Sequence, residues 1–288
     1  MTRHMFDSER GWKNRPGLFH LARLFGDLAH TITILPDGSR KTHNRQLHTT
    51  KAPVLMIGDS YTHGFGLDDN KTIAWKLQKQ LRNREVYNLG VNGYGTWQTF
   101  LTLKQYEKVI QPHSYFIYGF ITDHLNRTAV TPHWVNISNR MISINNIFMP
   151  FVRDMGNGMV ITGKAQLPSF PFSSDFALIH MGEIAFTVLK YNVTDEVKWR
   201  SLSYALRKMN EHISANESKL IVVLLGDSTE MLPFYDLFKK LEMTTLNCTM
   251  PTEDFRSYLL EADMHPNSMY TDLVAEKIEE FIRQDQER

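Results

Sequence analysis

The sequence predicts an α/β fold in which a mainly parallel five-stranded sheet carries helices on both faces. From residue 53 onward, apolar runs typical of strands alternate with stretches in which apolar residues recur every three or four positions, as in helices. The first run, VLMIG (54–58), is continuously apolar, as expected of a strand that is buried on both faces. Such alternation favours a parallel sheet, because parallel strands need crossover connections that are usually helical.

Five strands and five helices follow from these patterns. The strand runs, in chain order, are VLMIG (54–58), EVYNLGV (85–91), SYFIYGF (114–120), KLIVVLL (219–225) and MTTLN (243–247). The helical patterns cover 72–81, 96–110, 195–215, 234–241 and about 268–286. The second helix is predicted to stop before Pro112 and the fourth to start after Pro233, since proline interrupts helices. Thr194 or Asp195 can cap the third helix.

Residues 1–50 precede the alternating region, and we expect them to be a flanking segment packed on the main domain at 51–288. The stretch GLFHLARLFGDLAH (17–30) is predicted to be helical. The following HTITILPDGSRKTH (30–43) is predicted to be a hairpin, because Asp-Gly at 37–38 is typical of a tight turn.

Residues 128–190 interrupt the alternation and are predicted to be an insertion of irregular or β structure, because they are rich in Asn, Pro, Phe and Met. The insertion is either a lid over a site or an excursion that covers the edge of the sheet. Its aromatic side chains bind a sugar or acyl chain in the first interpretation and form the insertion's own core in the second. They are Trp134, Phe148, Phe151, Phe170 and Phe172.

The composition is that of a globular protein with no general affinity for nucleic acid. The 288 residues include 32 Lys and Arg against 31 Asp and Glu, a formal net charge of +1. This balance gives no electrostatic reason to bind nucleic acid or an anionic membrane surface. The single Cys248 excludes an intrachain disulfide. With no membrane-spanning apolar run and no secretory signal, we expect a cytoplasmic protein, or a periplasmic or extracellular one if a targeting segment was removed.

Gly-Asp-Ser occurs twice, each time at the end of an apolar run, in VLMIGDSYTH (54–63) and VVLLGDSTEM (222–231). Ligands of parallel α/β sheets bind beyond the carboxyl ends of the strands, so Ser60 and Ser228 are both candidate nucleophiles. Ser60 is followed by glycines at 64 and 66, which permit a tight, open loop, whereas an acidic sequence without glycine follows Ser228. For Asp59 we expect a structural role, in which its carboxylate holds the turn by accepting from nearby backbone N–H groups.

Two further motifs carry candidate chemistry. NLGVNGYG (88–95) follows the second strand, and its glycines allow backbone N–H groups to face a developing negative charge. In DMHPN (263–267), Asp263 lies two positions before His265, and a carboxylate can orient an imidazole and stabilise its protonated form. Either motif by itself is also compatible with an ordinary surface loop.

The blocks VLMIGDSYTHGFG, NLGVNGYG, YGFITDH and DMHPN, in this order, resemble the four sequence blocks of the GDSL/SGNH hydrolases. The resemblance extends over about residues 53–280, except for the insertion. It implies a flavodoxin-like three-layer α/β/α fold and an esterase or related acyl-group activity. The early GW..RPG (11–17) and TILPDGSRK (33–41) also resemble the N-terminal flank of some bacterial members.

The resemblance implies a role for each matching residue. Ser60 takes the place of the nucleophile, His265 that of its general base and Asp263 that of the residue that orients His265. The backbone N–H groups of Ser60 and Gly93 would form the oxyanion hole. Ser228 lies on the fourth strand, where the family has no catalytic residue, so the resemblance favours Ser60.

This sequence departs from the family pattern in the third block, where Thr122 stands at the position of an asparagine that donates to the oxyanion. Losing one such donor lowers the rate by roughly 10²–10³-fold in other hydrolases. Thr122 can donate through its hydroxyl, or Asn126 can reach in from further along the loop. The spacing in Asp263-X-His265 also differs from the two intervening residues of many members.

The sequence thus predicts a serine ester hydrolase that acts through an acyl-enzyme, with a short acyl ester of a carbohydrate or small alcohol as its substrate. An O-acyltransferase with the same triad is the second hypothesis. A catalytically weak carbohydrate-binding or assembly protein that retains the fold is the third. We expect neither a cofactor nor a metal site, because His63 and His124 form no recognisable ligand pattern. The sequence leaves the oligomeric state open.

Overall fold

The computed structural model describes residues 3–21, 29–44, 49–141, 147–168, 170–261 and 264–287, with only the backbone at 139–141. The strands are β1 His4–Asp7, β2 Gly11–Asn14, β3 Gly17–Leu21, β4 His30–Ile34, β5 Val54–Gly58, β6 Val86–Asn88, β7 Tyr115–Phe120, β8 Phe148–Gly156, β9 Met159–Gln166, β10 Lys219–Leu224 and β11 Thr245–Asn247. The helices are α1 Ser60–His63, α2 Ile73–Gln80, α3 Thr96–Gln105, α4 His124–Ala129, α5 Pro132–Met141, α6 Ala177–Tyr191, α7 Asp195–Ser214, α8 Ser228–Lys240, α9 Thr252–Phe255 and α10 Ser268–Gln286.

The centre of the molecule is a five-stranded sheet in the order β6-β5-β7-β10-β11, and every adjacent pair in it is parallel. All five predicted strands are confirmed, although β6 ends at Asn88 instead of residue 91. Numbered along the chain, the strand order is 2-1-3-4-5, which is the order of flavodoxin-like sheets. The order reverses direction between β5 and β7, so the crevice beyond their carboxyl ends is the expected ligand position.

Helices cover both faces of this sheet. On one face α2 and α10 pack against alternate strand residues such as Val54 and Ile117. On the other face α3, α7 and α8 pack against the intervening residues, such as Leu55 and Phe116. Because strand residues of both sets are fully buried, the continuous apolar runs are explained by burial on two sides. The predicted three-layer α/β/α class is confirmed.

The N-terminal residues form two small antiparallel pairs, β1 with β2 and β3 with β4. The helix predicted at 17–30 is wrong at its start, because residues 17–21 are the strand β3. The backbone hydrogen bonds to β4 override the helical spacing of the apolar residues. The remainder of that prediction falls largely on residues 22–28, which lie outside the described residues.

The hairpin predicted at 30–43 is confirmed at its turn, and its second side is short, limited to an antiparallel bridge of Arg40 with Ile34 and the bond from Lys41 to Thr33. The Gly38 N–H donates to the Leu35 oxygen at 2.9 Å, and the Leu35 N–H donates to the Ser39 oxygen at 2.8 Å. Beyond the turn, the Lys41 N–H donates to the Thr33 oxygen at 2.9 Å, and the Arg40 N–H donates to the oxygen of Asn88 at 2.8 Å. This side of the hairpin therefore lies between β4 and the end of β6 and connects the N-terminal residues with the main sheet.

The insertion at 128–190 contains β structure, as predicted, together with two helices that its composition did not indicate. β8 and β9 form an antiparallel hairpin that lies in sequence between α5 and α6. Trp134, at the start of this region, packs in an apolar cluster with Trp12 and Tyr94. Phe172, in contrast, is 66% exposed, so the aromatic residues of the insertion do not share one environment.

The helix predicted at 234–241 begins earlier, at Ser228, and Pro233 lies inside it. The Asp227 carboxylate accepts from the backbone N–H groups of Thr229 at 2.7 Å and Glu230 at 3.3 Å, which starts the helix before the proline. The predicted helix start after Pro233 is therefore wrong, because the Asp227 cap, six residues earlier, determines the first turn of α8.

None of the helices in the described ranges is long and apolar enough to cross a membrane.

Candidate functional site

Ser60 lies two residues after the end of β5 and is the first residue of the single-turn helix α1. The Asp59 carboxylate caps this turn by accepting from the Tyr61 N–H at 3.0 Å, as expected from the sequence. Gly64 ends the turn in the left-handed conformation, with φ of 84°. The Ser60 side chain is thereby held at the carboxyl edge of the sheet, beside the crevice between β5 and β7.

His265 lies in the loop before α10, and its Nε2 is 2.9 Å from Ser60 Oγ. The Leu260 N–H donates to the His265 oxygen at 2.7 Å, which fixes the loop backbone. The imidazole lies against the Phe65 ring, with a centroid distance of 4.6 Å. If the Ser60 hydroxyl donates to Nε2, a neutral His265 carries its proton on Nδ1.

Asp263, predicted to orient His265, lies outside the described residues. Its neighbour Met264 is described, and the Met264 oxygen accepts from the Tyr61 hydroxyl at 3.2 Å. The role of Asp263 therefore remains a prediction from the sequence resemblance.

The glycine-rich loop after β6 lies next to the Ser60 loop, because the Val91 N–H donates to the Gly58 oxygen at 3.1 Å. Gly93 adopts a φ of 80°, a conformation that favours glycine. A side chain at this position would lie 3.4 Å from the rings of Trp12 and Trp134. The Trp12 indole N–H donates to the Asn92 oxygen at 2.9 Å, so a residue from β2 holds this loop.

Thr122 and Asn126 belong to the loop and helix that follow β7. Gly58 of β5 pairs in register with Gly119 of β7, so this loop leaves the same edge of the sheet as Ser60. Both side chains are half-buried. The backbone oxygen of Thr122 accepts from the Leu125 N–H at 3.2 Å. The donor roles of Ser60 N–H, Gly93 N–H, Thr122 and Asn126 toward an oxyanion remain predictions.

Arg127 is a central residue of the site that the sequence analysis missed. Its Nη1 donates to Asp59 Oδ2 at 2.7 Å and to the Tyr94 oxygen at 3.2 Å. Its Nη2 donates to Asp123 Oδ2 at 3.1 Å, and its guanidinium lies 4.5 Å from the centre of the Trp134 ring. The available signal was the spacing of Asp123 and Arg127, which places the two side chains on one face of a helix.

The Asp59–Arg127 pair is buried, because Asp59 is 0% and Arg127 8% exposed. Burial by itself would raise the pKa of Asp59, but the contact with His124, the Arg127 guanidinium and the Tyr61 N–H lower that pKa to about 2. Asp59 is therefore a carboxylate at neutral pH, and the guanidinium balances its charge next to Ser60.

His124 belongs to a second buried chain of polar contacts behind Asp59. Its Nε2 is 3.5 Å from Asp59 Oδ2, and its Nδ1 is 2.7 Å from the Tyr118 hydroxyl. The Tyr118 hydroxyl is in turn 2.8 Å from Thr96 Oγ1. Burial lowers the pKa of His124, so the imidazole is neutral at pH 7 and cannot serve as a cation for Asp59. These contacts fix the carboxylate but bring no second imidazole to Ser60.

Ser228, the other Gly-Asp-Ser serine, begins α8 and has a structural environment. Its N–H donates to the Met250 oxygen at 2.8 Å, while Asp227 caps the helix. Among the described residues, the hydrogen bond between a serine hydroxyl and an imidazole nitrogen is found at Ser60 and His265, and Ser228 has no such contact.

No group of three or more His, Cys, Asp or Glu side chains in the described part of the chain could hold a metal ion. His63 is buried, and its backbone oxygen accepts from Arg40 at 3.0 Å and from Asn88 at 3.3 Å. Burial lowers its pKa well below the ordinary value, so His63 is a neutral core residue.

Two surface pockets lie away from Ser60 and His265. One, of about 550 Å³, is lined by Asp68, Lys71 and Trp75 among others. The other, of about 340 Å³, includes Pro53 and Glu85, which precede β5 and β6. This second pocket is therefore at the amino ends of the strands, opposite to where ligands of such sheets bind.

Neither a protein-family model nor a curated protein sequence matches this chain. Among solved structures, the chain is similar to a protein of Desulfitobacterium hafniense DCB-2 that is described as lipolytic and of the G-D-S-L family. The two are 13% identical, the match covers 80% of this chain and 99% of that chain, and the TM-score is 0.47. The esterase EstA of Pseudoalteromonas sp. has 11% identity, coverage of 83% and 100%, and a TM-score of 0.45. A carbohydrate esterase has 10% identity, coverage of 83% and 70%, and a TM-score of 0.46.

At these identities and TM-scores, the solved structures assign no residue role and no substrate to this chain.

Proposed function

We propose that this protein is a serine ester hydrolase in which Ser60 is the nucleophile and His265 the general base. The observation that carries the proposal is the 2.9 Å distance between His265 Nε2 and Ser60 Oγ. A nucleophile and a base within hydrogen-bond distance, at the carboxyl edge of a parallel sheet, are what acyl transfer requires. The substrate class implied by the sequence resemblance is a short acyl ester, such as acetyl, of a carbohydrate or small alcohol.

In the first half of the reaction, Ser60 Oγ attacks the ester carbonyl carbon and its proton passes to His265 Nε2. The carbonyl π electrons move to the oxygen, which becomes an oxyanion. When the tetrahedral intermediate collapses, the bond to the alcohol oxygen breaks and Nε2 returns the proton to that oxygen. The alcohol leaves, and the acyl group remains as an ester on Ser60.

In the second half, His265 Nε2 takes a proton from water as the water oxygen attacks the acyl-enzyme. The second tetrahedral intermediate releases the carboxylic acid, and the proton returns to Ser60 Oγ. Asp263 is assigned the role of accepting from His265 Nδ1–H, which would keep Nε2 available as the base and stabilise the imidazolium. The oxyanion of both intermediates is assigned to the backbone N–H groups of Ser60 and Gly93, with Thr122 as the third donor.

A binding function without turnover is favoured by one observation, the presence of Thr122 where the family pattern has an oxyanion donor asparagine. In that case Ser60 and His265 would be retained from a catalytic ancestor, and an acylated carbohydrate would be held but not cleaved. An O-acyltransferase would use the same first half-reaction and pass the acyl group to a sugar hydroxyl in place of water.

The experiment compares p-nitrophenyl acetate hydrolysis by the wild-type protein, Ser60→Ala and Ser228→Ala. We expect turnover by the wild type and by Ser228→Ala and its loss in Ser60→Ala. Equal rates for wild type and Ser60→Ala would exclude the hydrolase and favour binding. If Ser228→Ala lowers p-nitrophenol release and Ser60→Ala does not, the nucleophile is Ser228 and not Ser60. Acylated sugar formed in the presence of a saccharide would identify the transferase.

A further inference from the structure

One guanidinium connects the three loops that carry the predicted oxyanion donors. Arg127 donates to Asp59 in the loop after β5, to the Tyr94 oxygen in the loop after β6 and to Asp123 in the loop after β7. The three distances are 2.7, 3.2 and 3.1 Å. Backbone pairing joins the three strands up to Gly58 and Gly119, and the Val91 N–H donates to the Gly58 oxygen. Arg127 adds side-chain contacts between the three loops beyond these last backbone bonds.

Each of these contacts falls on the residue next to a predicted donor. Asp59 precedes Ser60, Tyr94 follows Gly93, and Asp123 follows Thr122. The contact atoms are therefore only a few bonds away from the groups that would face the oxyanion. A shift of Arg127 would displace all three donors relative to one another.

The environment of Arg127 suits a fixed position. Its side chain is 8% exposed and its guanidinium lies 4.5 Å from the Trp134 ring centre, which limits its rotation. The planar fork of arginine can bond three acceptors in set directions, whereas the lysine ammonium on a flexible stem cannot reproduce that arrangement. The ion pair of Arg127 with Asp123 adds little stability, because the Asp123 side chain is 57% exposed. We therefore assign this pair an effect on the position of the loop after β7.

We propose that Arg127 is a positioning residue that aligns the oxyanion donors of the Ser60, Gly93 and Thr122 loops. This inference rests on the proposed ester hydrolysis. Arg127 acts through Asp59, Tyr94 and Asp123 and touches no reacting atom.

The proposal predicts a particular kinetic signature. The oxyanion exists in the tetrahedral intermediate and in the transition states that flank it, not in the bound ester. Misaligned donors therefore lower kcat while KM is unchanged, whereas partial unfolding would lower the amount of active enzyme and leave kcat per active site unchanged. Active sites are counted by titration with a fluorophosphonate.

The test compares Arg127→Lys with the matched control Arg153→Lys, using p-nitrophenyl acetate. Arg153 also donates to backbone oxygens, those of Ala129 at 3.0 Å and of Val130 and Tyr191 at 3.3 Å, but it does not contact the three loops. We expect kcat of Arg127→Lys to fall by about 10²-fold, the effect of a misplacement near 1 Å. Arg153→Lys should keep the wild-type kcat. A wild-type kcat in Arg127→Lys would overturn the proposal.

A second variant, Asp123→Ala, removes one of the three contacts from an exposed side chain and should fold even if Arg127→Lys does not. We expect a smaller fall in kcat, again without a change in KM. If Arg127→Lys fails to fold and Asp123→Ala has the wild-type kcat, the proposal is overturned.

If the proposed ester hydrolysis is wrong, the wild-type protein will show no turnover that depends on Ser60, which distinguishes this result from a failure of the Arg127 proposal. The effect of Arg127 on the three loops is then measured by amide hydrogen exchange. Faster exchange in residues 59–61, 92–95 and 121–123 of Arg127→Lys, but not of Arg153→Lys, would support the positioning role. Unchanged exchange in all three segments would overturn it.

Discussion

His265 Nε2 lies 2.9 Å from Ser60 Oγ, although 205 positions separate the two residues in the chain. Ser60 follows the first strand of the parallel sheet, and His265 lies just before the last helix, α10. α10 packs with α2 on one face of the sheet, which brings the chain's last loop back to the carboxyl end of β5. The fold thus creates a nucleophile–base pair that no local sequence pattern could form.

Asp263→Asn should lower kcat of ester hydrolysis by up to about 10⁴-fold at neutral pH, because an amide cannot stabilise the imidazolium and favours the wrong tautomer. Asp272→Asn is the matched control. It lies at an exposed position on α10, where Asp272 pairs with Lys76 at 2.8 Å, and should keep the wild-type kcat. Equal kcat values for the two variants would assign the orienting role to another residue.

Thr122→Asn should raise kcat, by up to about 10²-fold, because it restores the amide donor of the family pattern beside the β5–β7 crevice. The rate is measured with p-nitrophenyl acetate, and the same substitution in a Ser60→Ala background should remain inactive. An unchanged or lower kcat would mean that position 122 does not face the oxyanion.

Gly119→Ala should destabilise the fold by about 1–3 kcal/mol, because a side chain on β7 would meet Thr62 Oγ1 at 2.2 Å and the core would be overpacked. Gly182→Ala is the matched control in α6, where a side chain would meet nothing within 4 Å. There we expect stabilisation by about 0.5–1 kcal/mol from the lower entropy of the unfolded chain. Guanidinium unfolding measures both, and two equal stabilities would contradict the packing described for β5 and β7.

The free energy of unfolding should decrease as pH falls from about 6.5 towards 4. Burial, followed by the charge of Arg3, lowers the pKa of His4 from 6.5 to about 4. Burial also lowers the pKa values of His63 and His124. In this pH interval the unfolded chain therefore binds more protons than the folded one, and stability is lost as protons are added.

Urea unfolding at several pH values measures this dependence. His4→Asn should show a shallower loss of stability than the wild type, whereas His133→Asn, at an exposed position, should follow the wild type. An unfolding free energy that is constant between pH 6.5 and 4 would contradict lowered pKa values for these histidines in the folded protein.

Most of the sheet and its helices could be predicted from the sequence, because strands such as VLMIG and KLIVVLL are buried on both faces and read as continuous apolar runs. The prediction was wrong at 17–21, where apolar residues at helical spacing form an edge strand through pairing with β4. It was also wrong at Pro233, because the Asp227 cap starts α8 upstream. Tertiary pairing and a local cap decided these two places.

The sequence named Ser60 and His265, which the structure places in contact, because their motifs are local. It could not name Arg127, whose contacts with Asp59 and Tyr94 join residues 68 and 33 positions apart. A single arginine in a helix carries no pattern that indicates such partners. Trp12 was likewise hidden within an N-terminal flank, although its indole N–H holds the glycine loop at Asn92.

The most direct measurement is labelling of the wild-type protein with a fluorophosphonate, followed by mass spectrometric mapping of the modified peptide. We expect a single adduct on Ser60 and a much slower reaction in His265→Gln, because the imidazole must take the hydroxyl proton. An adduct on Ser228, or no adduct on a folded wild-type protein, would contradict the assignment of Ser60 and His265 as nucleophile and base.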